Sequence, residues 1–147
     1  MKPARSATDT NLADCIVVHK AARELLLFSG QEVIRRYPVA LGRTPVGAKR
    51  QQGDGKTPEG NYVISGRNAA SKYHKSLRVS YPDAEDHARA EREGVDPGGD
   101  IMIHGWPNGK GAPLEADWTQ GCIAVTDDEI DEIWQLVPDG TPIQIHP

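Results

Sequence analysis

A mainly β domain with two helices at its periphery is what this sequence predicts, on three observations. Apolar residues come in short runs of Val, Ile and Leu separated by Gly, Pro, Asp and Ser, which is how strands and turns alternate. Only two stretches, residues 84–93 and the segment after Thr126, carry helix signals at their ends. The 147 residues, 37% hydrophobic and 26% charged, suit one globular domain with a real core. A single Phe leaves that core to Val, Ile, Leu, Ala and a few Tyr and Trp.

Residues 1–14 are polar, small and without period, and read as a disordered lead or expression remnant, with the domain at 15–147. The lead has no apolar core of the kind a signal peptide needs. Leu12-Ala13-Asp14-Cys15 is faintly like a lipoprotein cleavage site, but no apolar run precedes it.

Cys15–His19, Leu25–Phe28 and Val33–Leu41, with Ser29-Gly30 as one turn, predict an antiparallel meander. Residues 42–60 hold five glycines and two prolines and predict a long ordered loop. Asn61–Ser65 and Leu77–Tyr81 predict two more strands. Asp83 as a cap and Gly94 past the end bracket a helix over Ala84–Glu93, with almost no apolar face and His87 solvated on it. Thr126 and Glu129 form a capping box for a second helix that buries Ile130, Ile133, Trp134 and Val137. Pro138-Asp139-Gly140 ends it, and Thr141–His146 predicts a last strand.

Several function classes fall away. No apolar run approaches the ~20 residues of a membrane-spanning helix. A net charge of −4 without a Lys/Arg stripe argues against nucleic acid. Gly55-Lys56-Thr57 fails as a phosphate loop, because Arg50 stands where its first Gly belongs and Pro58 follows. No H-x-x-x-H or C-x-x-C pair occurs, so no metal site and no cofactor is expected. A monomer is expected.

The stretch from Ile101 to Thr126 carries the chemistry. Ile101–Ile103 and Ile123–Val125 predict strands; His104-Gly105 closes the first and Gly121-Cys122 opens the second. Strand ends that meet in space would bring one imidazole to one thiol, as a thiolate nucleophile requires. Cys122 is the candidate nucleophile and His104 its base. Gly121 lets the backbone approach a reacting carbonyl, and the N–H groups of Gly121 and Cys122 are candidates for the oxyanion. Asp117 is a candidate acid to orient the imidazole, against a solvated loop charge. A Cys15–Cys122 disulfide would remove the nucleophile; a buried inert thiol is the alternative for Cys15.

Fourteen residues, Gly105 to Trp118, separate His104 from Thr119-Gln120-Gly121-Cys122-Ile123-Ala124. This pattern resembles that of the L,D-transpeptidase catalytic domains of the YkuD type. Their signature is His, a spacer of this length, Ser or Thr, His, Gly, Cys, a hydrophobic residue, and Asn or Arg. Gln120 and Ala124 depart from it. The loop Gly53-Asp54-Gly55-Lys56-Thr57-Pro58-Glu59-Gly60 is similar to that of a YafK-like branch.

The resemblance implies a twisted β-sandwich or open barrel, and a cysteine acyltransferase of the cell envelope or periplasm acting on peptidoglycan stem peptides. It implies that the Gly105 carbonyl fixes the His104 tautomer; Thr119 and Gln120 are candidate substrate contacts, and Trp106, with Trp118 at the other end of the spacer, either lines the cleft or packs its lid. The acceptor would be a stem amine or a lipoprotein lysine. With water as acceptor, the same residues give an L,D-hydrolase. A non-catalytic wall-binding module is the remaining alternative, and it would need neither Cys122 nor His104.

Overall fold

The computed structural model describes residues 12–147. Most of the lead expected over residues 1–14 therefore lies outside the described residues. Its last residues are tied down: Ala13 is buried and donates its N–H to Leu136 O, and the Asp14 carboxylate accepts the Gly30 N–H at 2.7 Å.

Eight strands form one curled mixed sheet: β1 (Cys15–His19), β2 (Glu24–Ser29), β3 (Glu32–Pro38), β4 (Gly60–Ser71), β5 (His74–Val79), β6 (Met102–His104), β7 (Ile123–Ala124) and β8 (Pro142–His146). Their spatial order is β3-β2-β1-β8-β4-β5-β6-β7. The first three strands make the expected antiparallel meander. Two pairings are parallel, β1 with β8 and β6 with β7. The mainly β class and the half-barrel curl are as predicted, with α1 (Ala84–Glu93) and α2 (Asp127–Leu136) beside the sheet.

Both helices start on reciprocal capping boxes. Asp83 accepts the Asp86 N–H at α1, and Thr126 accepts the Glu129 N–H at α2. Gly94 closes α1 in the left-handed conformation, φ 68. On α2 the buried residues are Ile130, Ile133 and Leu136, with Val137 just beyond its end. Trp134 is only half-buried, a correction to the predicted face, because its ring serves as a platform: the Arg67 guanidinium lies 4.8 Å above it.

Strand β4 runs six residues past the predicted Ser65, and its extension, Gly66–Ser71, carries no large apolar residue and is exposed at Asn68, Ala69 and Ala70. Such a segment projects as a hairpin arm with β5 and has no apolar alternation to betray it. Alternation along β5, β6 and β7 puts Leu77, Ile103 and Ile123 in one cross-strand row, all fully buried in the core. The opposite face carries Ser76 beside His104, and Arg78 beside Met102.

The 42–60 loop is held from within. The Lys20 ammonium, buried at the end of β1, donates to Gly47 O, Thr57 O and the Glu59 carboxylate. Burial lowers its pKa, and Glu59 opposes that shift. Asp54 accepts from the Lys49 ammonium and from the N–H groups of Arg50, Gln51 and Lys56. Burial alone would raise the Asp54 pKa, but these donors win and hold it at about 2. A depressed carboxyl stabilises the fold at pH values above its unfolded value, and that stability is lost as pH falls through about 2. Asp54→Asn is therefore expected to lower stability by about 2 kcal/mol at pH 7. The gap to wild type should close as the pH is lowered towards 2 in denaturant titrations. A gap that stays constant with pH would show that the carboxylate charge is not what holds the loop.

Candidate active site

His104 ends β6, and its register partner on β7 is Ala124. Cys122 lies two residues before Ala124, on the same side of the strand and diagonal to His104. The two segments separated by the spacer thus meet, as the sequence predicts.

The imidazole is buried, 2% exposed. Tyr73 stacks on it at 4.3 Å between centroids, and Trp118 meets it edge-on at 5.5 Å. Its Nδ1 lies 2.7 Å from Gly105 O. A carbonyl only accepts, so Nδ1 carries the proton and Nε2 keeps its lone pair. Gly105 is where the expectation put the orienting carbonyl. A Cβ at Gly105 would come within 2.5 Å of Asp127 Oδ1 and 3.1 Å of Tyr73 O, so any larger residue there would have to displace the Asp127 carboxylate from the Trp106 N–H.

Cys122 is half-buried and free, as is Cys15. Its thiol donates to Asp100 O at 3.2 Å. Among the described residues no hydrogen bond joins it to His104. In this structure the sulfur's proton is committed to the Asp100 carbonyl. Burial pushes the thiol above its ordinary pKa, with the Met102 N–H easing that shift. Burial likewise pushes the His104 pKa down, against the Gly105 contact. Both shifts disfavour charge, so the resting site is thiol plus neutral imidazole and not a thiolate–imidazolium pair. Iodoacetamide should therefore alkylate Cys122 slowly at neutral pH, with a midpoint above that of an ordinary thiol. A midpoint well below 8 would mean a preformed ion pair.

The backbone before Cys122 is set by Thr119. Its hydroxyl donates to Cys122 O at 2.8 Å and accepts the Gly121 N–H at 3.1 Å. The Gly121 N–H, a candidate oxyanion donor from sequence, is thus engaged inside the turn. The Cys122 N–H has no protein acceptor among the described residues. Thr119 is buried, so it shapes the turn from beneath, whereas Gln120 is exposed at its tip. Trp106 is half-buried, and its backbone N–H donates to Asp127.

Asp117 does not orient His104. Its carboxylate takes the Arg23 guanidinium at 2.8 and 3.1 Å and the Leu41 N–H at 3.1 Å, which pins the end of the spacer to the meander. Tyr73 escaped the sequence reading. It sits in the turn between β4 and β5, where an aromatic residue at a hairpin tip was the available signal.

Known proteins resemble this chain in sequence and in fold. The family model described as the L,D-transpeptidase catalytic domain, YkuD, matches residues 13–145. YafK of Escherichia coli K12, whose L,D-transpeptidase assignment is itself provisional, is 33% identical over 110 residues, covering 72% of this chain and 38% of YafK. The helical cell shape determining protein Pgp2 of Campylobacter jejuni superimposes with a TM-score of 0.74 and 26% identity, over 90% of this chain and 47% of that one. An L,D-transpeptidase of Mycobacterium smegmatis shares the fold, with a TM-score of 0.60 and 17% identity, over 92% of this chain and 59% of that one. The chain spans well under half the length of the curated relative it matches.

Proposed function

Because the chain belongs to the YkuD family of L,D-transpeptidase catalytic domains, we propose that it is a cysteine acyltransferase working on peptidoglycan stem peptides in the cell envelope. The observation that carries the reading is the fixed ring tautomer. With Nδ1–H on the Gly105 carbonyl, His104 Nε2 is free to accept a proton beside a half-open thiol.

Cys122 Sγ attacks the carbonyl that follows the third stem residue, and the thiol proton passes to Nε2. The oxyanion that forms is bound by the Cys122 N–H; the turn built by Thr119 keeps that donor fixed. The imidazolium returns its proton to the departing amine of the terminal D-amino acid, leaving a thioester. An acceptor amine, from a second stem or a protein lysine, gives a proton to Nε2 and attacks the thioester. Cys122 leaves as thiolate and regains its proton from His104. Since the base must be neutral and its pKa is lowered by burial, the acid limb of kcat/KM should lie below pH ~6.5, the ordinary imidazole value.

Incubation with muropeptide tetrapeptides, followed by mass spectrometry, tests the proposal. Cross-linked dimers are expected. Shortened monomers without dimers would replace the transferase by an L,D-hydrolase using the same residues. Unchanged substrate would leave only a wall-binding module.

A further inference from the structure

The turn that joins β4 to β5 is gripped from the spacer by one residue. Asn108 donates an Nδ2–H to Ser71 O at 2.9 Å and accepts the His74 N–H on Oδ1 at 2.9 Å. Its own N–H donates to Lys72 O at 2.9 Å. These three bonds bracket Tyr73. They hold a costly shape, because His74 has φ 74, rare outside glycine. His74 Nε2 in turn meets the Asp131 carboxylate of α2 at 2.8 Å.

Asn108 is exposed and fills no part of the core. What the turn carries is the Tyr73 ring, stacked on the His104 imidazole at 4.3 Å with 23° between the planes. The Tyr73 carbonyl also accepts the Gly105 N–H at 2.9 Å. Gly105 and Asn108, close together on one segment, therefore hold the imidazole in different ways. Gly105 O fixes one atom, Nδ1. The stacked ring fixes the plane. With the first restraint alone the imidazole is free to tilt about that bond, and Nε2 loses its direction.

We propose that Asn108 is a positioning residue of the site: by clamping the Ser71–His74 turn it keeps the Tyr73 ring on the imidazole, and so keeps Nε2 aimed for proton transfer. The inference rests on the acyl-transfer reading above and adds to it a residue outside the reacting groups. The same cover keeps water from the ring. Around it stand the Tyr73 phenol from the turn, Cys122 on the diagonal from β7, and Asp127 beside Gly105, its carboxylate taken by the Trp106 N–H. Asp131 is taken by Lys75 and His74. A tyrosine face attracts an imidazolium, yet the net effect on this ring is a lowered pKa with burial as its first cause. Loosening the cover should therefore raise the midpoint towards ~6.5.

Two readouts test the clamp. The His104 midpoint is followed by NMR in the Cys122→Ala protein, with its signal assigned by loss in His104→Gln. Acylation by a carbapenem is timed by mass with Cys122 intact. Tyr73→Ala should raise the midpoint by at least about half a pH unit and slow acylation about tenfold. Asn108→Ala should move both in the same direction, slowing acylation about threefold or more. Adding Asn108→Ala to Tyr73→Ala should change neither further, because the clamp acts through the ring. Tyr73→Phe keeps the ring face and should restore both values to near those of wild type. If Tyr73→Ala fails to fold, Tyr73→Leu takes its place. An Asn108→Ala protein in which the midpoint or the rate is unmoved overturns the inference, even if its Tm falls. Full additivity of the two changes overturns it as well. A wild type that takes up no carbapenem would sink the acyl-transfer reading, while the NMR midpoints would still judge the clamp.

Discussion

Replacing Cys122 by alanine is expected to lower transpeptidation by at least about 10³-fold while leaving the fold intact. The residue is half-buried, and its one side-chain bond as donor, to Asp100 O, is to a backbone group near the surface, so removing the sulfur costs the core little. It removes the only atom placed to form the thioester. A carbapenem gives a reading independent of substrate. Its strained amide opens on the sulfur with no leaving group, so wild type should gain the mass of one whole carbapenem and Cys122→Ala none. Cys15 is an internal control, since its thiol is also free but lies on β1, away from His104. An adduct that persists in Cys122→Ala, or an unmodified wild-type mass after long exposure, would sink the mechanism. His104→Ala should slow acylation by about 10²–10⁴-fold, the usual share of a general base.

The second large effect concerns stability. Gly42→Ala is expected to destabilise the domain by about 3 kcal/mol, at the upper end for overpacking. A Cβ at Gly42 would stand 2.1 Å from Gly55 O and 3.0 Å from the Gly121 Cα. Neither is a side chain that could swing aside. Gly42 N–H also donates to Thr57 Oγ1 at 3.2 Å, so this loop segment cannot back away without losing that bond. In a domain of this size such a loss should lower Tm by roughly 6–12 °C. Gly66→Ala is the control, because a Cβ there meets nothing within 4 Å. Thermal unfolding of the two variants settles it: equal melting temperatures would mean that the loop and the Gly121 turn yield freely. Gly121→Ala should suffer as well, since its φ is 134 and its Cβ would lie 2.7 Å from Lys56 O.

How far the sequence reaches follows from the range of the forces involved. Helix α1 was legible to its ends because Asp83 and Gly94 act within one turn of it. The His104-Gly105 and Gly121-Cys122 pairs were legible because strand ends and glycines are local marks. Pairings between distant segments left no such trace. Nothing in Arg23 announces Asp117, which lies 94 positions away. Nothing in Lys20, after an ordinary strand, announces a buried ammonium with three acceptors. The Gly121 N–H looked available in sequence because a hydroxyl two residues away can turn inward or outward with equal ease, and here it turns inward. The Gly66–Ser71 arm of β4 stayed hidden because it carries no large apolar residue to mark an alternation.

The sheet order has a consequence for how the molecule comes together. Strand β8 is last in chain order among the described strands, yet it lies between β1 and β4 at the middle of the sheet. Without it, the meander and the half that carries His104 and Cys122 are joined through the segment after β3, where Ala40 and Ala124 exchange backbone hydrogen bonds at 2.9 Å and Gly42 bridges to Thr119. A fragment that stops before Pro142 leaves the facing edges of β1 and β4 unpaired, and such edges are prone to stick to other chains. The last strand of the chain thus closes the sheet on which both halves of the site stand.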